Sequence, residues 1–252
     1  MQDLKVTYLQ SHQYWQDKTA NLNHFSDLLK NVGDTDLVLL PEMFNTSFSM
    51  DSSFAEEIQG NSVQWMIDQS KAGNFLLGAT LMIKEDDAVF NRFVIVNGNG
   101  VLAEYSKMHL FSHAGETKEF TAGTENSIIE INGWKILMKV CYDLRFPLDS
   151  RNQFNNPYDL AIYLANWPAK RSYAWSTLLK ARAIENQCFV IGVNRIGKDG
   201  NGHAYDGSSA IHDPWGNTIH ESENRDEIYT TTLDYKELQK IRENFNTLKD
   251  EV

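Results

Sequence analysis

The chain has 252 residues, 42% of them hydrophobic and 23% charged, with a formal net charge of -11. That length and balance describe a soluble globular chain with a substantial core and exclude disorder as a reading of the whole. An acidic surface repels phosphate backbones, so no nucleic-acid partner is expected, and an anionic substrate requires a local cationic pocket.

Leu4 to Gln10 alternates apolar and polar residues and predicts a strand. Asp17 is placed to cap the following helix, whose apolar face is Leu22, Phe25, Leu28, Leu29 and Val32, with Gly33 as its stop. Leu37 to Leu40, ended by Pro41, predicts a short buried strand, and Ser62 to Lys71 a second helix. Phe75 to Ile83 and Ala88 to Val96 read as strands joined by a polar turn, and Asn97-Gly98-Asn99-Gly100 as a hairpin into Val101 to Lys107. Met108 to Gly123 has no period and reads as an ordered loop. Ile128 to Ile131 and Trp134 to Cys141 form another hairpin about Asn132-Gly133. A strand over Asp159 to Ala165 and a helix capped by Ser172 and running to Gln187 come next. A strand over Phe189 to Val193, two or three more strands and a helix from Asp234 to Phe245 complete the chain.

Hairpins and strand-helix alternation are mixed. The pattern predicts an α+β architecture, a four-layer α-β-β-α sandwich with two packed sheets and helices outside. No repeat, low-complexity tract or Pro/Gly linker divides it, so residues 1-252 are read as one domain. Cys141 and Cys188 are the only cysteines, which rules out a disulfide scaffold. The N-terminal stretch has no basic segment followed by an apolar run, and no run of about 18 apolar residues occurs. A cytoplasmic protein with free thiols and no membrane association is the expectation.

Glu42, Lys107 and Cys141 each stand at a strand end, where side chains project into the crevice of an α/β protein. Each has an ordinary reading as well: a solvated loop carboxylate, a snorkelling lysine, a small buried hydrophobe. Together they fit a mechanism. A thiol attacks as its thiolate, so a base must take its proton, and a carboxylate in apolar surroundings suits that shuttle. A lysine ammonium and the N-H of Tyr142, just after the thiol, are placed to hold a tetrahedral oxyanion. Cys188 lies in an apolar strand start without charged neighbours and reads as structural.

LPEMF at 40-44, YSKMHLF at 105-111 and VCYDLRFP at 140-147 resemble the three signature blocks of the nitrilase (carbon-nitrogen hydrolase) superfamily. YLANWPAKR at 163-171 and KARAIENQ at 180-187 match as well, so the resemblance spans essentially the whole chain. It implies a sandwich of the nitrilase type, Glu42 as general base, Lys107 at the oxyanion and Cys141 as nucleophile, with no cofactor and no metal. It also implies a second glutamate before the nucleophile strand: Glu116, with Glu119 as the competitor. The branch it looks like is that of the bacterial omega-amidases, which release ammonia from small-molecule amides such as 2-oxoglutaramate and 2-oxosuccinamate. A homodimer with two sandwiches face to face is implied too. In related carbamoylases an arginine at the offset of Arg145 and an asparagine like Asn166 contact a substrate carboxylate. The other reading of Arg145 is an ion pair with Glu116 or Asp143. Lys139 departs from the pattern, since an apolar residue is expected in a buried strand.

Three other classes are weighed against this one. His109 and His113 have i, i+4 spacing, but no HExxH motif accompanies them. A cysteine protease needs a histidine base and signatures absent around Cys141. A non-catalytic binding protein is at odds with a chain that keeps all three blocks.

Overall fold

Local sequence explains most element boundaries of the computed structural model, which describes residues 2-250. Strand β1 (Leu4–Gln10) leads to helix α1 (Lys18–Leu29), where the Asp17 side chain accepts from the Ala20 N-H at 2.9 Å. β2 (Leu37–Leu39), α2 (Asn61–Gly73), β3 (Leu76–Glu85), β4 (Ala88–Asn97) and β5 (Gly100–Ser106) complete the first half. Helix α3 (Glu116–Glu119) precedes β6 (Ser127–Ile131) and β7 (Trp134–Val140), whose turn places Asn132 and Gly133 at positive φ. β8 (Leu160–Leu164), α4 (Ser172–Asn186) and β9 (Phe189–Val193) follow. Then come β10 (Ile196–Lys198), β11 (Ala204–Asp206), β12 (Ala210–His212), β13 (Thr218–Glu221), β14 (Glu227–Leu233) and α5 (Tyr235–Asn244).

Two six-stranded sheets form, in the orders β14-β1-β2-β3-β4-β5 and β6-β7-β8-β9-β12-β13, with β10-β11 as a separate hairpin. Read in those orders, each sheet shows one antiparallel pair, two parallel pairs and two antiparallel pairs. The sheets therefore repeat one plan without a repeat in sequence, and β2 of the first corresponds to β8 of the second. Pleating sorts the apolar residues. Leu37 and Leu39 join the core between the sheets, with Tyr8, Phe93, Ile136 and Met138, while Val38 and Leu40 join Phe25, Val63 and Met66 beneath α1 and α2. Trp175 and Leu179 of α4 cover the outer face of the second sheet. Four layers result, α-β-β-α, as the alternation predicts.

Several local expectations need correction. Helix α1 ends at Leu29 with Lys30 as its cap, so Gly33 lies beyond it and Val32 packs from the following turn. Ser172 is the first helical residue of α4 and does not cap it; its hydroxyl bonds the Ala169 carbonyl and the Asp206 carboxylate. The segment Met108 to Gly123 holds a 3-10 turn over Ser112–Ala114 and the short α3. Five strands follow β9, most only three or four residues long, too short for a periodic signal.

Candidate active site

The ends of β2, β5, β7 and β8 converge between the sheets. Glu42 follows β2 and is held by a tight turn: the Met43 N-H donates to Thr80 Oγ1 at 2.8 Å, and Met43 itself has φ 44°. Lys107 follows β5 and is tied to β4 through its N-H to the Asn91 carbonyl at 2.9 Å. Cys141 opens a 3-10 turn over Cys141–Arg145 and takes a left-handed φ of 46°. That region disfavours a residue with a Cβ by about 1–3 kcal/mol, so the surroundings must enforce it. Asp143 does so: one carboxylate oxygen accepts from the Val140 N-H at 3.0 Å and the Tyr105 hydroxyl at 2.8 Å, and the other from the His109 N-H at 2.9 Å. The turn bearing Cys141 is thereby fastened to the chain on either side of Lys107.

Glu42, Lys107 and Glu116 are fully buried. Lys107 Nζ lies 3.1 Å from Glu42 Oε1 and 2.9 Å from each oxygen of Glu116, and stands 5.3 Å from the centre of the Phe48 ring. Burial works against the Lys107 charge, but Glu116 and Glu42 outweigh it and raise the ammonium above its ordinary range. Asn91 Nδ2 donates to both acids, at 2.8 Å to Glu42 and 3.2 Å to Glu116. From β8, the Asn166 N-H donates to Glu42 Oε2 at 2.7 Å, and its side chain to the Glu42 carbonyl at 2.6 Å. The Cys141 sulfur lies 4.0 Å from the Asn166 carbonyl oxygen, with the Glu42 side chain beside it. Burial first, and the Glu42 charge second, push that thiol well above its usual range against the pull of Lys107. Both effects favour the neutral thiol over the thiolate, with the Glu42 side chain next to it.

Cys141 lies in the wall of a cavity of about 470 Å³, with Tyr142, Arg145, Asn166, Phe111 and Arg171 around it. All seven residues singled out from sequence are thus together: Glu42, Lys107 and Glu116 behind the thiol, and Tyr142, Arg145 and Asn166 beside it. The ion-pair reading of Arg145 fails, because Glu116 is taken by Lys107 and Asp143 by Val140, Tyr105 and His109. Arg145 instead lies over the Trp167 ring at 4.9 Å, and Arg171 over Phe111 at 5.1 Å. Neither guanidinium has a carboxylate partner among the described residues, so the cavity offers two cations to an anion despite the acidic surface. Glu119 is exposed and accepts only from the Ser52 hydroxyl, at 3.2 Å. His109 and His113 do not share a ligand position: His109 pairs with Asp149 at 2.5 Å and stacks on Phe146, while His113 lies against Phe111.

Sequence reasoning missed Asn91, Arg171 and the β10–β11 hairpin, which brings Asp199, His203 and Tyr205 to the cavity. Asn91 had a signal, a polar residue inside the apolar run AVFNRFVIV. Lys139 is buried, as its strand requires. Its ammonium donates to Asn126 at 2.5 Å and Tyr105 at 3.3 Å, and burial holds it below the usual lysine range against Asp143 and Asp149.

The carbon-nitrogen hydrolase family profile matches residues 5–243. The chain is 43% identical over 251 residues to omega-amidase YafV of Yersinia enterocolitica, covering 99% of this chain and 97% of that one. It is 31% identical over 225 residues to 2-oxoglutaramate amidase of Bacillus subtilis, covering 88% and 86%. The crystal structure of XC1258 from Xanthomonas campestris, a CN-hydrolase superfamily protein with an arsenic adduct in its active site, matches at a TM-score of 0.96 and 38% identity, covering 100% and 98%.

Proposed function

This chain belongs to the carbon-nitrogen hydrolase family, and we propose that it is an omega-amidase, hydrolysing the terminal amide of a short 2-oxo dicarboxylic acid monoamide such as 2-oxoglutaramate or 2-oxosuccinamate. The observation that carries this reading is the meeting of Cys141, Glu42 and Lys107 beside a cavity where Arg145 lacks a carboxylate partner. The names of the relatives from Yersinia enterocolitica and Bacillus subtilis support the same substrate class.

In the first half-reaction Cys141 Sγ bonds to the amide carbon as its proton passes to Glu42. The carbonyl oxygen becomes an oxyanion, stabilised by the Lys107 ammonium and the Tyr142 N-H. Glu42 returns the proton to nitrogen, the carbon-nitrogen bond breaks and ammonia leaves a thioester on Cys141. In the second, Glu42 takes a proton from water as its oxygen bonds to the thioester carbon. The carbon-sulfur bond then breaks and the proton returns to sulfur, releasing the acid. Glu116 keeps Lys107 charged and in place throughout. Arg145 receives the substrate carboxylate as a planar fork, with Asn166 and Tyr142 bordering the reacting carbonyl.

Ammonia release from 2-oxoglutaramate, glutamine, asparagine, a nitrile and a carbamoyl amino acid, measured side by side, tests the reading. The 2-oxo amide is expected to exceed the nitrile by orders of magnitude, and removing its carboxylate is expected to cost heavily, since that leaves a buried cation unpaired. Equal turnover of a neutral aliphatic amide removes the omega-amidase assignment and leaves the amidase chemistry. The chain is further proposed to act as one domain over 1-252, in the cytoplasm, as a face-to-face homodimer. Unbridged Cys141 and Cys188 support a reducing compartment. Exposed Ile184 on α4, beside Gly216 and so next to Trp215, which stacks on Phe245 at 5.9 Å, supports an interface on that outer layer. A monomeric mass by light scattering at micromolar concentration contradicts the dimer.

A further inference from the structure

The end of β1 carries a second cluster of chemistry-bearing side chains, at the place in the first sheet that Cys141 occupies in the second. His12 follows β1, His24 lies on α1, and Asp226 comes from the turn before β14. One ligand atom from each lies within 4.8 Å of the other two. The two imidazoles face each other with ring centres 4.2 Å apart, and His12 Nδ1 is 3.6 Å from Asp226 Oδ1. Asp226 is oriented by the buried Ser11, whose hydroxyl donates to Oδ1 at 2.6 Å, and by the His12 N-H at 3.3 Å. The same hydroxyl meets His24 Nε2 at 2.7 Å. This is not the order of a hydrolytic triad, because the Ser11 hydroxyl donates to Asp226 and not to a histidine base.

We propose that His12, His24 and Asp226 form a binding site for a divalent cation of the zinc class. Two imidazole nitrogens and one carboxylate oxygen are the donor set that zinc takes, and they are poorly matched to magnesium or calcium, which take oxygen. Tetrahedral zinc with bonds of about 2.0–2.1 Å sets its ligand atoms roughly 3.3 Å apart. The His12–Asp226 separation is already close to that. The remaining contraction falls to side chains with room to turn, since those of His12 and Asp226 are 38% and 53% exposed. Water fills the fourth position. The hydroxyl of Ser11 serves as the outer partner that orients ligands in such sites.

The site bears on the catalytic end of the molecule through one residue. Gln13, next to His12, donates its side-chain amide to the Glu42 carbonyl at 3.0 Å, and its own carbonyl accepts from Arg195 at 3.1 Å. A cation joining β1, α1 and the β13–β14 turn therefore braces the segment that supports Glu42. Its role is structural, and the reaction at Cys141 does not pass through it.

Calorimetric titration of Cys141→Ala protein with zinc chloride tests the site, with the accessible thiol removed so that it cannot compete. One zinc per chain is expected, with magnesium giving no saturable heat. Affinity should fall at least about tenfold in Asp226→Asn and in His12→Ala, both made on the same background. Zinc in excess should raise Tm by several degrees in the parent and leave Asp226→Asn unmoved. His12 and Asp226 are exposed enough that these variants fold even if a His24 substitution does not. Absence of binding, or binding of equal strength in both variants, overturns the proposal and leaves these residues as a hydrogen-bond network.

Discussion

Two thiols in this molecule lie buried beside an acid–base pair, and only one is placed to react. Cys141 sits by Glu42 and Lys107, which are 3.1 Å apart; Cys188 sits by Asp159 and Arg242, 2.8 Å apart. Burial pushes both thiols up, Cys188 to about 12. Burial, charge neighbours and a raised thiol pKa therefore do not mark a nucleophile. The hydrogen bonds of the two acids do not separate them, since Glu42 accepts from Lys107, Asn91 and the Asn166 N-H and Asp159 from Arg242 and the Lys135 N-H. Two other features separate the two. Cys141 has a left-handed backbone, whereas Cys188, the residue before β9, does not. Cys141 lines the cavity described above, whereas Cys188 is fully buried. What sets Cys141 apart is access and backbone conformation.

The sharpest way to break this comparison is to remove each sulfur in turn. Cys141→Ala should lower kcat by at least about 10⁴-fold with the fold retained, judged by circular dichroism, because the nucleophile is gone while little volume changes. Cys188→Ala should keep kcat within about twofold and lose roughly 1 kcal/mol of stability. Loss of turnover on the Cys188 side reverses the assignment.

Next in size is the charge at the oxyanion. Lys107→Met should lower kcat by about 10³-fold. The folded pKa of Lys107 lies above its unfolded value of 10.5, so its stabilising contribution is fully present below that value and is lost only as pH rises through the folded one. Removing it leaves Glu42 and Glu116 facing each other. The variant should therefore be most stable in mild acid, where the two acids share a proton, and weaken towards neutrality, as a pH series of Tm will show. A parallel pH dependence in the wild type contradicts the account.

A smaller effect separates the two loop acids. Glu116→Gln keeps shape but removes one of the charges that hold Lys107, and should cut kcat by about 10²-fold while Cys141 still takes up iodoacetamide. Glu119→Gln should change kcat by less than about twofold, since its carboxylate meets only Ser52 and solvent. The reverse pattern assigns the role to Glu119 instead.

The smallest expected effect returns to Cys188. Its folded pKa is raised, so the thiol contributes stability that is full below its unfolded value and disappears as pH rises through about 12. The Tm deficit of Cys188→Ala against wild type should therefore shrink from about pH 8 to about pH 11. A deficit that widens with pH contradicts the burial assigned to this thiol.

The sequence made the strand ends legible because apolar periodicity is local, and Glu42, Lys107, Cys141 and Glu116 stand in recognisable blocks. It could not show how the two sheets meet. Asn166 and Glu42 are 124 residues apart, and the two bonds that Asn166 donates to Glu42 exist only because β2 and β8 hold matching places in the two sheets. Asn91 lay inside a strand that periodicity reads as core, so its role as a donor to both acids stayed hidden. The β10–β11 hairpin escaped because three-residue strands leave no period to find, though it supplies a cavity wall. Ser172 looks like a helix cap by type, but Asp206, far along the chain, takes its hydroxyl.

The central claim is that Cys141 carries the acyl group between two half-reactions. Acid quenching during turnover of 2-oxoglutaramate, followed by peptide mass spectrometry, reads it directly. The predicted result is an adduct on the peptide containing Cys141, equal to the substrate less one ammonia, absent from Cys141→Ala. An adduct on the Cys188 peptide, or full turnover in Cys141→Ala, contradicts it.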